Sequence, residues 1–167
     1  MPQTGEDETR TSDVLVIGSG AAGLSGALAA NAGDAQVIVV EKSRYLGGTS
    51  AMSGGCTWIP CNHHMDKLGE TDSPEDALTY IRAVAPPGWE ATEDPLWQSF
   101  VLHAPAMLRF VEQRTKLRFW PGLEPDPYAE APGGKRRGRC VSPRPLSMRV
   151  AGDFAGCIRP ATMPQSF

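Results

Sequence analysis

The chain has 167 residues, 41% of them hydrophobic and 21% charged, a globular composition that excludes a wholly disordered protein. No uninterrupted apolar run approaches the ~18 residues a membrane-spanning helix needs, and the polar, acidic start MPQTGEDETRTSD has no hydrophobic secretory stretch. The net charge of −3 conceals an asymmetry: residues 1–134 hold 9 Lys/Arg against 18 Asp/Glu, and residues 135–167 hold 7 against 1.

After the acidic start, Val14-Leu15-Val16-Ile17 is wholly apolar and mostly β-branched, as in a parallel strand covered on both faces. Ala21 to Asn31 is rich in Ala and Leu and reads as a helix stopped at Gly33, and Val37-Ile38-Val39-Val40 reads as a second strand ending in Glu41. Together they make a right-handed βαβ unit. Ser73-Pro74-Glu75-Asp76 predicts a helix start, with Ser73 as cap and Pro74 at the first position, running to about Val84 before Pro86-Pro87. Asp94-Pro95 repeats that signature and predicts a helix that Pro105 breaks or kinks, restarting to Arg114. Leu117 to Trp120 reads as a strand. Twelve of the fifteen prolines lie between Pro86 and Pro164, so the last third reads as loops.

Gly18-Ser19-Gly20-Ala21-Ala22-Gly23 is G-x-G-x-x-G, set between an apolar strand and a helix. Gly18 permits the tight turn, Gly20 lets a pyrophosphate approach the backbone, and Gly23 brings the helix close to the sheet. Glu41 follows Gly18 by 23 residues, near the spacing of about 20 for an acid that binds ribose hydroxyls. A carboxylate there repels a 2′-phosphate, which argues against NADP. Next, Gly47-Gly48-Thr49-Ser50-Ala51-Met52-Ser53-Gly54-Gly55 makes a loop whose backbone can lie along a large ligand.

VLVIGSGAAGLSGALAA, VIVVEKSRYLGGTSAMSGG and the following WIP resemble the fumarate reductase/succinate dehydrogenase flavoprotein superfamily, most of all its 3-ketosteroid 1-dehydrogenases, over roughly residues 12–145. The resemblance implies FAD, with Gly18, Ser19, Gly20, Ala22 and Gly23 around its pyrophosphate and Glu41 and Lys42 on the adenosine ribose. Gly48, Thr49, Ser50, Ser53, Gly54 and Gly55 would run toward the isoalloxazine. Members that hold flavin covalently carry a histidine just before the loop threonine. Gly48 stands there in this chain, so the FAD is expected to be non-covalent. Asp126-Pro127-Tyr128-Ala129-Glu130-Ala131-Pro132-Gly133-Gly134 resembles a family loop whose tyrosine faces the substrate, which makes Tyr128 the catalytic candidate, as acid/base or oxyanion partner. The implied substrate is a steroid or another ketone or enone.

The resemblance also sets the expected organisation: α/β, with an incomplete Rossmann-like FAD-binding βαβ unit followed by helices and a Pro/Gly-rich loop region. The boundaries expected are a disordered acidic tail over 1–12, the FAD-binding segment over 13–60, a helical segment over 61–120, and a loop-rich start of a substrate domain over 121–167. Family members are several hundred residues long, and residues 150–167 do not resemble their continuation. The expectation is therefore a truncated chain with open sheet edges that binds FAD weakly and turns nothing over alone; an inactive remnant is the alternative. An NAD-dependent short-chain dehydrogenase would need Tyr-x-x-x-Lys, and neither Tyr45, Tyr80 nor Tyr128 has a lysine four residues on.

Cys56, Cys61, His63 and His64 form C-x4-C-x-H-H, but Cys140 and Cys157 are poorly spaced to complete a zinc site, and no metal is expected. The four cysteines are too few and scattered for a disulfide framework and read as reduced thiols of a cytoplasmic protein. Lys135-Arg136-Arg137-Gly138-Arg139 lacks an aromatic platform or a recognition helix, so it reads as a solvated loop with no nucleic-acid partner.

Overall fold

The computed structural model describes residues 9–161, so residues 1–8 of the expected acidic tail lie outside the described residues. Residues 9–53 and 148–161 make one compact unit, and residues 54–147 make the other.

In the first unit, strand β1 (Val14–Ile17) leads into helix α1 (Ala21–Ala32), which returns to strand β2 (Val37–Val40). The two strands pair in parallel, from Val14 opposite Val37 to Ile17 opposite Val40. Gln36 fixes the start of the pair: its carbonyl accepts from the Asp13 and Val14 N–H groups at 3.0 and 3.1 Å, and its own N–H donates to Asp13 Oδ2 at 2.8 Å. Helix α1 packs on the Val16 face. The opposite face is open, with Leu15 59% and Ile17 83% exposed. The expectation of strands covered on both faces is thus corrected, because among the described residues only one helix lies against this sheet. Two open edges and an uncovered apolar face are what the incomplete unit predicted.

Residues Met148–Cys157 form short 3-10 turns interrupted at Gly152 (φ 55°, ψ −131°). The chain then returns to the loop after β2. Ile158 bridges Leu46 in parallel, with Leu46 N–H donating to Cys157 O at 2.6 Å and Arg159 N–H to Leu46 O at 2.9 Å.

The second unit is an antiparallel sheet in the order β3 (Thr57–Trp58), β5 (Cys140–Pro143), β4 (Phe119–Pro121), together with two helices. Helix α2 (Pro74–Val84) starts as the sequence predicts, with Pro74 at its first turn and Ser73 Oγ accepting from Asp76 N–H at 3.0 Å. Helix α3 (Glu90–Arg114) corrects two expectations. It begins four residues before Asp94, which caps nothing and instead pairs bidentately with Arg82 of α2 at 2.7 and 3.1 Å. It also runs on without the break that was one of the two outcomes expected at Pro105, with Pro95 inside it as well. Each proline deletes a backbone bond, at about 3 kcal/mol in a helix interior. Around Pro105, burial of Val101, Ala104 and Leu108 offsets that loss. Leu108 and Ala104 pack with Ile59 and Val141, and Phe119 closes the cluster. No helix among the described residues is long and apolar enough to cross a membrane.

Candidate cofactor-binding site

The turn from β1 into α1 is made by Gly18 at φ +96°. Three residues into the helix the chain doubles back so closely that a Cβ on Gly23 would collide with the Gly18 carbonyl and press on Val16 Cγ1 at 3.3 Å. Gly20 caps α1 in an extended conformation, and a Cβ there would meet nothing nearer than Ser50 Oγ at 4.0 Å. Ser50 Oγ accepts from Ala21 N–H at 3.1 Å, tying the second glycine loop to the helix start.

Glu41, just past β2, organises this junction. Its Oε2 accepts from the buried Ser19 at both N–H (3.0 Å) and Oγ (2.7 Å), and its Oε1 accepts from Ser43 N–H at 3.0 Å. Ser19 Oγ in turn accepts from Gly47 N–H at 2.9 Å. Hydrogen bonds from Ser43 N–H, then from the Ser19 hydroxyl and backbone, hold the Glu41 carboxyl down at about 2, so it is a carboxylate at any physiological pH. The Lys42 N–H group adds a weaker contact to these three, so the carboxylate is held in place from within the chain.

These groups surround a cleft of about 510 Å3, within the usual size of a ligand site. Of the expected site residues, Gly18, Ser19, Gly20, Glu41, Lys42, Gly48 and Thr49 line it. Ala22 and Gly23 lie in the first turn of α1, and Ser53 follows a 3-10 turn (Ser50–Met52), donating its N–H to Ser50 O at 3.2 Å. Gly54, Gly55 and Tyr128 belong to the second unit. The cleft also contains residues that sequence reasoning missed: Ile17, Ser43 and, from the far end of the chain, Arg159. The guanidinium Nε of Arg159 is buried and has no hydrogen-bond partner. Open space at Gly20, a carboxylate lining the cleft and an unsatisfied cationic donor all fit a nucleotide diphosphate with its ribose.

In the second unit, Tyr128 lines an apolar cleft of about 360 Å3 with Trp58, Tyr80, Ile81, Val84 and Pro127. Its N–H donates to the Tyr80 hydroxyl at 3.2 Å, and its side chain is exposed. Beneath this cleft the basic run departs from a solvated loop. Arg139 is fully buried, bidentate on Asp72 at 2.7 and 2.9 Å and bonded to Asp126 at 2.9 Å. It lies over the Trp58 and Tyr80 rings, and Trp58 Nε1 donates to Asp126 Oδ1 at 2.7 Å. Lys135 pairs with Asp76 and Arg137 with Glu70. The run is therefore largely spent on internal contacts.

His63 and His64 meet Glu112 of α3, Nε2 to carboxylate oxygens, at 2.8 and 3.1 Å, and among the described residues no cysteine joins them. Lys67 Nζ lies 3.3 Å from His64 Nδ1, so that nitrogen accepts and Nε2 carries the proton given to Glu112. A cation at Nε2 needs the opposite tautomer. It also needs a partner for the buried His63 Nδ1, which has none. The arrangement is a tether between the segment after β3 and the end of α3. All four cysteines are free thiols, and burial above all raises Cys61 and Cys140 to about 11, which leaves them protonated and unreactive at neutral pH.

A parallel βαβ unit with a glycine turn at the helix start, and a carboxylate just past the second strand lining the same cleft, is the arrangement of a dinucleotide-binding domain. The sequence matches the family described as FAD binding domain over residues 13–165, and the chain belongs to that family. It is 41% identical over 152 residues to a 3-oxosteroid 1-dehydrogenase of Mycobacterium tuberculosis (strain ATCC 25618 / H37Rv), covering 89% of this chain and 26% of that protein. It is 38% identical over 156 residues to a 4-oxocyclohex-2-ene-1-carboxylate 5-dehydrogenase of Sinomonas cyclohexanicum, covering 93% and 26%. The structure superposes with a TM-score of 0.79 and 36% identity on the 3-ketosteroid delta1-dehydrogenase from Sterolibacterium denitrificans in complex with 1,4-androstadiene-3,17-dione, covering 92% of this chain and 27% of that one. The chain spans about a quarter of the length of these relatives. It is an FAD-binding domain of the 3-ketosteroid dehydrogenase-like kind. The match to residue 165 also corrects the expectation that the resemblance ends near 145, because it takes in the segment that brings Arg159 to the cleft.

Proposed function

We propose that the glycine-loop cleft takes the adenosine diphosphate half of a non-covalently held FAD, and that the domain serves an oxidoreductase acting on a carbon–carbon bond beside a ketone. The observation that carries this is the strand–helix turn where bare main chain at Gly18–Ser19–Gly20 faces the same cleft as Glu41 and Arg159. In this reading Gly18, Ser19, Gly20, Ala22 and Gly23 surround the pyrophosphate, and α1 turns its positive end toward it. Glu41 accepts from a ribose hydroxyl, beside Lys42, in exchange for one of its contacts within the chain. Gly48, Thr49, Ser50, Ser53, Gly54 and Gly55 follow the cofactor toward its ring.

The bound flavin supplies a hydride acceptor. Tyr128 contributes an acid/base group or a donor to the ketone oxygen, held in place by its backbone bond to Tyr80. A steroid or other cyclic ketone is supported by the names of the relatives and by the apolar cleft beside Tyr128. The unit over 54–147 is assigned to the substrate side. Internal pairing of the basic run supports small-molecule partners over nucleic acid, and cysteines that are not paired as disulfides support a cytoplasmic setting.

The open face of the β1–β2 pair favours weak flavin binding by the 167-residue chain alone, because a loop that is not preorganised must be ordered by its ligand. Titration of the purified chain with FAD, followed by flavin fluorescence quenching, tests the cleft, and acid precipitation tests the linkage. We expect saturable, weak quenching, release of all flavin into the acid supernatant, and no steroid dehydrogenation. Flavin that stays with the precipitate refutes non-covalent binding, and absence of quenching refutes the cleft.

A further inference from the structure

We propose that Arg159 is the phosphate counter-ion of the cleft, its guanidinium fork binding the pyrophosphate that the glycine turn receives. This rests on the FAD reading above. A pyrophosphate brings two negative charges to a site that already holds the Glu41 carboxylate, and α1 offers only about half a unit charge at its N-terminus. Lys42 is exposed, and Arg159 is the other cation lining the cleft. Its Nε is buried without a partner, a costly state for a charged donor unless a ligand completes it.

The backbone fixes where this side chain can reach. Arg159 N–H donates to Leu46 O, Leu46 N–H donates to Cys157 O, and Leu46 directly precedes the Gly47–Gly48 turn that borders the cleft. The chain thus returns over about 110 residues to place one guanidinium at the phosphate loop. A planar five-donor fork matches two phosphate oxygens at once, which a lysine does not do.

The test compares Arg159→Gln and Arg159→Lys with the unsubstituted 167-residue chain, titrated calorimetrically with FAD, ADP and adenosine at low and high salt. Far-UV circular dichroism verifies the fold. The Gln variant should bind FAD and ADP roughly ten- to a hundredfold more weakly, the loss expected for a charge-assisted contact, and adenosine within about twofold of the parent. Its ADP affinity should also depend less on salt, and the Lys variant should recover part of the loss. Equal losses for ADP and adenosine, or unchanged ADP affinity in the Gln variant, overturn the assignment while the FAD reading stands. Failure of the unsubstituted chain to bind either FAD or ADP overturns both.

Discussion

Replacing Arg139 by Met tests the electrostatic account of the second unit. Arg139 is fully buried, and the side chains of both Asp72 and Asp126 are 1% exposed, so Met leaves two carboxylates with no buried cation while roughly preserving volume. Breaking a buried ion pair from one side costs about 3–5 kcal/mol, against a total of about 5–15 kcal/mol for a typical domain. The unit should survive at 25 °C with much of its stability gone. The loss should also depend on pH. Burial pushes the Asp72 carboxyl up, but Arg139, together with the Cys61 and Ser73 N–H groups, more than offsets this and holds it below its ordinary value. In the native chain Asp72 therefore stabilises fully above the unfolded pKa of about 4, and that contribution is lost as pH falls through the lower folded value. Without Arg139 the burial effect dominates and the folded value rises. The penalty is then complete at pH 7 and fades as acid protonates the carboxyl. Urea unfolding followed by tryptophan fluorescence reads this directly, since Trp58 stacks beneath Arg139. A deficit below about 1 kcal/mol, or one that does not shrink between pH 7 and pH 4.5, would refute the reasoning.

Gly23→Ala places a methyl group on the Gly18 carbonyl, so it should destabilise the first unit by about 1–3 kcal/mol and abolish FAD quenching; wild-type quenching would remove the close-packing argument. Burial lowers the His64 imidazolium, although Glu112 opposes it, so the folded state binds fewer protons there than the unfolded one. Stability is then fully present above about pH 6.5 and falls as acid passes through the folded value. A His64→Gln variant should show a flatter urea midpoint between pH 7 and pH 5, and an unchanged slope counts against this.

The first unit was legible because its signals are local. Two β-branched runs, three glycines and an acid at fixed offsets name a strand–turn–helix–strand without reference to the rest of the chain. Ser73-Pro74 was readable for the same reason. Asp94-Pro95 carries the same letters but not the same structure, because Arg82, twelve residues earlier, claims the carboxylate. Pro105 read as a break or a kink because the weight of Val101, Ala104 and Leu108 in the core is a tertiary effect. Strand β3 has two residues, too few to show a period, and it exists only through its pairing with β5 more than 80 residues on. Separation along the chain likewise hid Glu112 from His63, Asp72 from Arg139 and Leu46 from Arg159, where only the folded chain supplies the partner.

The return of the chain from Ser147 to Leu46 has a consequence for biosynthesis. A ribosome releases residues 54–147 in one stretch, so that unit has its whole core available while the nucleotide-binding unit still lacks its closing segment. The two glycine loops must wait for residue 159 to leave the exit tunnel before their basic side wall arrives. Translation halted before residue 159 would yield a product whose Trp58–Arg139 centre is complete but whose nucleotide cleft lacks its guanidinium.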